Sequence, residues 1–136
     1  MVKLKDILDK IWSRLNAIDD YIVERGTRDG WRYVKYNSGR IRLECKQTWT
    51  INAWSAWGSS FYSNRTPNLA IPAGLLSTVD FLHITHSLNG EDAVGLIMGG
   101  VTLNTKNVPN SYLIRPAAGT GPRTAARYVT LEGTWK

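Results

Sequence analysis

One cysteine, two histidines, two phenylalanines and five prolines in 136 residues leave several kinds of protein out of reach. Cys45 alone cannot close an internal disulfide, so the chain is not a stapled miniprotein. With only His83 and His86 beside that thiol there is no zinc-finger spacing, and neither a metal nor another cofactor is expected. No apolar run is long enough to span a bilayer, and Met-Val-Lys-Leu-Lys-Asp at the start has no apolar stretch behind its charges. The expectation is therefore a chain with no secretory leader and no membrane insertion. Low-complexity tracts and internal repeats are missing too. With 43% hydrophobic and 21% charged residues, a disordered or collagen-like polymer does not fit, and the length suits a single core with a short appendage.

The charge is uneven. Residues 1–25 carry five basic and five acidic side chains, whereas residues 26–136 carry twelve and six, which places the net +6 in the body. Arg28, Arg32, Lys35, Arg40, Arg42 and Lys46 fall in one stretch and could form a basic face of the kind that meets phosphates or acidic polymers. No helix-turn-helix, zinc or aromatic ribonucleoprotein signature accompanies them, so a solvated strand face is the preferred reading and no nucleic-acid partner is expected.

The first 24 residues read as an association device. Leu4, Leu8, Ile11, Leu15, Ile18 and Ile22 recur at alternating steps of four and three, which keeps one seam toward a partner helix. Leucine dominates one set of seam positions and isoleucine the other, a combination that favours three or four strands over two. A helix over residues 1–22, about 33 Å long, is marginal alone in water and must be stabilised by packing. Ile7, Trp12 and Tyr21 widen the stripe, which suits a trimer and also a helix lying on its own domain.

The period then shortens to two. Ile41, Leu43, Cys45, Trp49 and Ile51 alternate with Arg40, Arg42, Glu44, Lys46, Thr48 and Thr50, the pattern of a half-buried strand. Asn37-Ser38-Gly39 before it reads as a three-residue hairpin turn with Gly39 in the left-handed region, preceded by a strand over 31–36. Pairing Tyr36 with Arg40 sets Trp31, Tyr33 and Lys35 on one face with Cys45, Leu43 and Ile41, and puts Arg32 opposite Glu44. Residues 52–77, with Gly58, Pro67, Pro72 and Gly74, read as a long connection with short strands at most. Further strands are expected over 78–87, over 93–103 with an interruption at Gly99-Gly100, over 112–115 and over 127–135. Many short strands without alternating helices indicate an antiparallel sandwich or barrel for residues 25–136.

Catalytic chemistry finds few candidates. Asp80, Glu91, Asp92 and Glu132 could supply a glycosidase pair, but turn and surface carboxylates are the preferred reading. His83 and His86, three apart on a strand, face opposite sides and cannot share a metal. There is no Gly-x-Ser-x-Gly elbow, Cys45 lies on the apolar strand face, and Gly119-Thr120-Gly121-Pro122-Arg123 lacks the lysine and helix of a phosphate loop. Aromatic content is more informative: six Trp and six Tyr against two Phe. These side chains combine a flat apolar face with a polar edge, which suits stacking on a sugar ring. Trp31, Trp49 and Trp135 fall on strands and read as core. Trp54, Trp57 and Tyr62, with Asn64 and Arg65, cluster in the long connection and are the candidate ligand-binding residues; a minor core or a subunit contact is the competing assignment.

The stretch Trp31-Arg32-Tyr33-Val34-Lys35-Tyr36-Asn37-Ser38-Gly39, followed by Glu44-Cys45, resembles the head domain of tailed-bacteriophage tail-fibre and baseplate receptor-binding proteins. Asp20-Tyr21-Ile22-Val23-Glu24-Arg25-Gly26-Thr27 looks like the lead-in of those proteins, and Tyr128-Val129-Thr130-Leu131-Glu132-Gly133-Thr134-Trp135-Lys136 is similar to their closing strand. Arg40 and Arg42 lengthen the segment before Glu44-Cys45, and Thr134 stands where the family has arginine. The resemblance implies a mainly β protein: a homotrimeric, jelly-roll-like antiparallel β-sandwich head over 25–136 on an α-helical coiled-coil stem over 1–24. It further implies a non-enzymatic adhesion module on a virion, at the phage tail tip, whose partners are other phage tail or baseplate proteins and a host cell-surface glycan. A purely structural trimeric fibre cap and a small polysaccharide depolymerase are the alternatives. The resemblance transfers no catalytic residue.

Overall fold

The computed structural model describes residues 2–17, 20–89, 93–97, 103–119 and 122–136. Among these residues one helix, α1 (Leu4–Ala17), precedes eleven strands. They are β1 (Ile22–Arg28), β2 (Trp31–Tyr36), β3 (Arg40–Ile51), β4 (Trp54–Trp57), β5 (Ser60–Ser63), β6 (Leu69–Ala70), β7 (Thr78–Leu88), β8 (Val94–Ile97), β9 (Asn107–Val108), β10 (Ser111–Arg115) and β11 (Arg123–Thr134). The protein is mainly β, and every pairing is antiparallel. A five-stranded sheet runs β1-β2-β3-β11-β7, a four-stranded sheet runs β4-β5-β10-β8, and β6 pairs with β9.

The β2–β3 hairpin has the register its alternation dictates. Arg32 lies opposite Glu44, Tyr33 opposite Leu43 and Lys35 opposite Ile41. Gly39 closes the turn at φ 98°, a conformation that costs a residue with a Cβ. Twelve pairs join β3 to β11, from Arg40–Thr134 to Ile51–Arg123, and β11 passes the same alternation to β7. Even-numbered positions of β3 therefore share one face of the large sheet with even-numbered positions of β11, and the odd positions face the core.

That inner face carries two hydrophobic clusters. Trp31, Tyr33, Ile41, Leu43, Val129 and Leu131 pack with Ile71, Leu75 and Val108 from the connecting segments. Trp49, Ile51, Leu88 and Ala125 pack with Leu113 of the small sheet. Between the clusters runs a polar row across three strands: Gln47, Arg127 and His86. Arg127 is fully buried. Its Nε donates to Gln47 Oε1 at 2.8 Å, and its Nη1 donates to the Pro109 carbonyl at 2.6 Å and to Ser111 Oγ at 2.9 Å. The large sheet is thus pinned to the segment that enters β10. Burial without a carboxylate pulls the Arg127 pKa down to about 10.

Two expectations need correction. The described helix spans Leu4–Ala17, and Ile22, assigned by its spacing to the last turn of the stem, opens strand β1 instead. The sheet thus begins three residues before the expected head boundary, because Asp29 (φ 50°) and Gly30 (φ 81°) form a tight turn that folds residues 22–28 back onto β2. The closing strand is also longer than expected, starting at Arg123. The seam position Ile18 and the Gly99-Gly100 interruption lie outside the described residues. Leu15 falls within the helical backbone. No described helix is long and apolar enough to cross a membrane.

Candidate functional site

The connection over 52–77 folds into a hairpin. Trp54 pairs with Ser63, Ser55 with Tyr62, Ala56 with Phe61 and Trp57 with Ser60, around a turn in which Gly58 has φ 61°. β10 then lies beside β5, with Ile114 opposite Tyr62 and Arg115 opposite Phe61. Because successive side chains alternate, this register sorts the candidate residues onto two faces.

The inner face holds Ser63 and Leu113, both buried, with Trp54, Phe61 and Arg115. Trp54 packs against the second hydrophobic cluster, and the Arg115 guanidinium lies 5.3 Å from its ring centre. A side chain at Gly119 would strike the Trp54 indole nitrogen. The Trp54 ring is therefore part of the packing under this sheet and is not on the same face as Trp57.

The outer face carries Trp57, Tyr62, Tyr112, Ile114 and Val94, with Ser55 and Ser60. Trp57 is 59% exposed and Val94 69%. Tyr62 and Tyr112 meet edge to face with ring centres 5.8 Å apart, a favourable arrangement for two quadrupoles. Among the described side chains this face holds no charge. It offers one open indole, two phenols and hydroxyls from two serines, a surface suited to a flat, hydroxylated, neutral ligand.

Asn64 and Arg65 follow β5. The Asn64 amide is occupied by the main chain: Oδ1 accepts from the Asn52 N–H at 2.9 Å, and Nδ2 donates to the Thr50 carbonyl at 3.1 Å. It brackets the end of β3 against the end of β5. Arg65 is exposed in the connection to β6. Of the five residues singled out from sequence, Trp57 and Tyr62 share the outer face. Tyr112 and Ile114, which join them there, were hidden in sequence because they sit fifty residues away and only the β5–β10 pairing brings them together.

The other candidates disperse. His83 is exposed and stacks in parallel on Phe81 with centres 6.4 Å apart, while His86 points inward beside Gly95, where any side chain would collide with the imidazole. Burial, then the nearby Arg127 charge, lowers the His86 pKa. Burial raises that of the Cys45 thiol, which keeps it protonated and unreactive. Asp80 is exposed beside the irregularity where β7 meets Glu132 and Gly133; Glu91 and Asp92 lie outside the described residues. Among the described residues no group of three or more His, Cys, Asp and Glu side chains gathers to hold a metal ion.

The basic stretch does not form one face. Lys35 turns inward beside Trp135 and pairs with Glu24 at 2.8 Å, which holds the Glu24 carboxyl below its usual pKa. Arg40 lies 3.6 Å from Asp20, whose pKa is lowered chiefly by its hydrogen bond from Ser38. Arg28 reaches the Ala73 carbonyl. Arg32, Arg40, Arg42 and Lys46 lie on the outer face of the large sheet.

No family model matches the chain, and no curated protein matches it. A solved structure of an N-truncated R1-type pyocin tail fiber is similar. The likeness has a TM-score of 0.45 at 14% identity and covers 90% of this chain and 94% of that one. It is a coarse likeness of fold, and no residue role is taken from it.

Proposed function

We propose that this chain is a non-enzymatic, homotrimeric adhesion module of a phage tail or related particle that attaches to host cell-surface saccharide. The observation that carries the reading is the uncharged outer face of the β4-β5-β10-β8 sheet, where Trp57 stands open beside Tyr62 and Tyr112. The resemblance of the β2–β3 hairpin and of the closing strand to receptor-binding heads agrees with it.

Self-association is supported by α1. Leu4, Ile7, Leu8, Ile11 and Trp12 are each 45% exposed or more, so this stripe is not covered by the head of its own chain. Burying each such side chain contributes about 1.5–3 kcal/mol, and the four-three spacing suits parallel copies of the same helix. Three weak sugar sites on one stem gain avidity without any new contact.

The test is attachment to host cells or to an immobilised host glycan, comparing the full chain with Trp57→Ala. Loss of attachment with the fold and mass intact supports the reading; unchanged attachment overturns it. A structural fibre cap is the second reading, favoured by Val94 and Ile114 on the same face, which suit a subunit contact. In that case Trp57→Ala changes the assembled mass and not attachment alone.

A further inference from the structure

The opposite outer surface of the molecule has a different chemistry. On the large sheet, alternation places Arg25, Arg32, Arg40, Arg42 and Lys46 on one face together with the carboxylates Glu44 and Glu132. Two adjoining depressions cross this face. One, of about 550 Å³, lies over Arg32, Glu44, Lys46, Tyr128 and Thr130; the other, of about 430 Å³, lies over Arg25, Thr27, Arg32, Val34 and Glu44. Arg32 and Glu44 border both, so the two form one trough across β1, β2, β3 and β11.

The groups in the trough are open to solvent. The Arg32 side chain is 78% exposed and meets Glu44 at 3.4 Å, a loose contact, while Arg42 holds the other Glu44 oxygen at 2.8 Å. The Lys46 ammonium rests 5.5 Å from the Tyr128 ring centre, and Tyr128 is 47% exposed. Two cations thus stand on either side of a carboxylate that still has acceptor capacity, beside a phenol and the Thr130 hydroxyl.

We propose that this trough binds an acidic saccharide, a polymer whose sugar rings carry carboxylates. The charged donors Arg32 and Lys46 take the ring carboxylates, and Glu44 and Thr130 take ring hydroxyls. Tyr128 supplies a flat wall. A DNA backbone fits less well, because it presents phosphates without hydroxyl donors for Glu44. The site is separate from the Trp57 face and does not depend on the reading given to that face.

The experiment is titration of the full chain with polygalacturonate, neutral dextran and poly-dT at low and at physiological salt, watched by calorimetry. The chain is expected to bind polygalacturonate and not dextran, with poly-dT weaker. Arg32→Ala with Lys46→Ala is expected to lower the polygalacturonate affinity at least tenfold, with circular dichroism unchanged. Lys106→Ala, an exposed charge outside the trough, leaves it unaltered, and Arg32→Lys retains most of it. Absence of polygalacturonate binding, equal binding by the double variant, or tighter binding of poly-dT overturns the proposal.

Discussion

Arg127 on β11 donates from Nε to the Gln47 side chain on β3 at 2.8 Å, and this bond lies between the two hydrophobic clusters of the sheet. A fully buried guanidinium held by neutral acceptors orients the segment entering β10, and through β10 the outer aromatic face. Replacing it by alanine leaves Gln47 Oε1, the Pro109 carbonyl and Ser111 Oγ without their donor and opens a cavity. Arg127→Ala is expected to cost about 3 kcal/mol or more in denaturant unfolding. A cost under about 1 kcal/mol would show that the row does not organise the fold.

The same row predicts an acid response. His86 is neutral in the folded protein with its pKa lowered by burial and by Arg127, whereas in the unfolded chain it titrates near 6.5. The unfolded state therefore takes up the proton first, and stability falls as pH drops from about 6.5 through the folded value. Asp20 and Glu24, also lowered, add their loss only below about pH 4.5. Thermal melts should show a decline as the pH falls below about 6.5 that His86→Gln flattens; an unchanged slope contradicts the assignment.

Trp54 and Trp57, three residues apart in one strand, are expected to respond in opposite ways. Trp54→Ala removes a half-buried ring and its Arg115 contact and costs about 2–3 kcal/mol. Trp57→Ala changes stability by no more than about 0.5 kcal/mol but lowers glycan or cell attachment. Parallel unfolding and binding measurements on the two variants separate packing from recognition.

Charge introduced on the helix stripe tests its partner. Ile11→Asp lies far from both clusters of the head, so circular dichroism of the strands should be preserved while the assembled mass falls to that of one chain. A variant that keeps the assembled mass would show that the stripe serves another purpose.

Much of the large sheet was legible because its signals are local. Alternation from Arg40 to Ile51, the Asn37-Ser38-Gly39 turn and the Arg32–Glu44 register all depend on residues within twenty positions of each other, and the structure has them so. β1 was hidden by a conflict of periods: Ile22 continues the four-three spacing of the helix, which outweighed the Asp29-Gly30 turn that folds the segment onto β2. Within the candidate site, Trp57 and Tyr62 could be found from composition. The separation of Trp54 from Trp57 follows only from the hairpin register, set by Gly58-Ser59. Asn64 reads as a ligand donor in sequence, yet its amide is consumed at Asn52 and Thr50, a contact that exists only once β3 and β5 are folded together.

Multivalent attachment requires several copies of this chain acting together, and light scattering of the full chain across a concentration series tests that most directly. The predicted result is a mass near three times 15.3 kDa, maintained on dilution through the micromolar range. A single-chain mass at every concentration would contradict it, leaving the exposed stripe of α1 without its partner and the multivalent attachment without its basis.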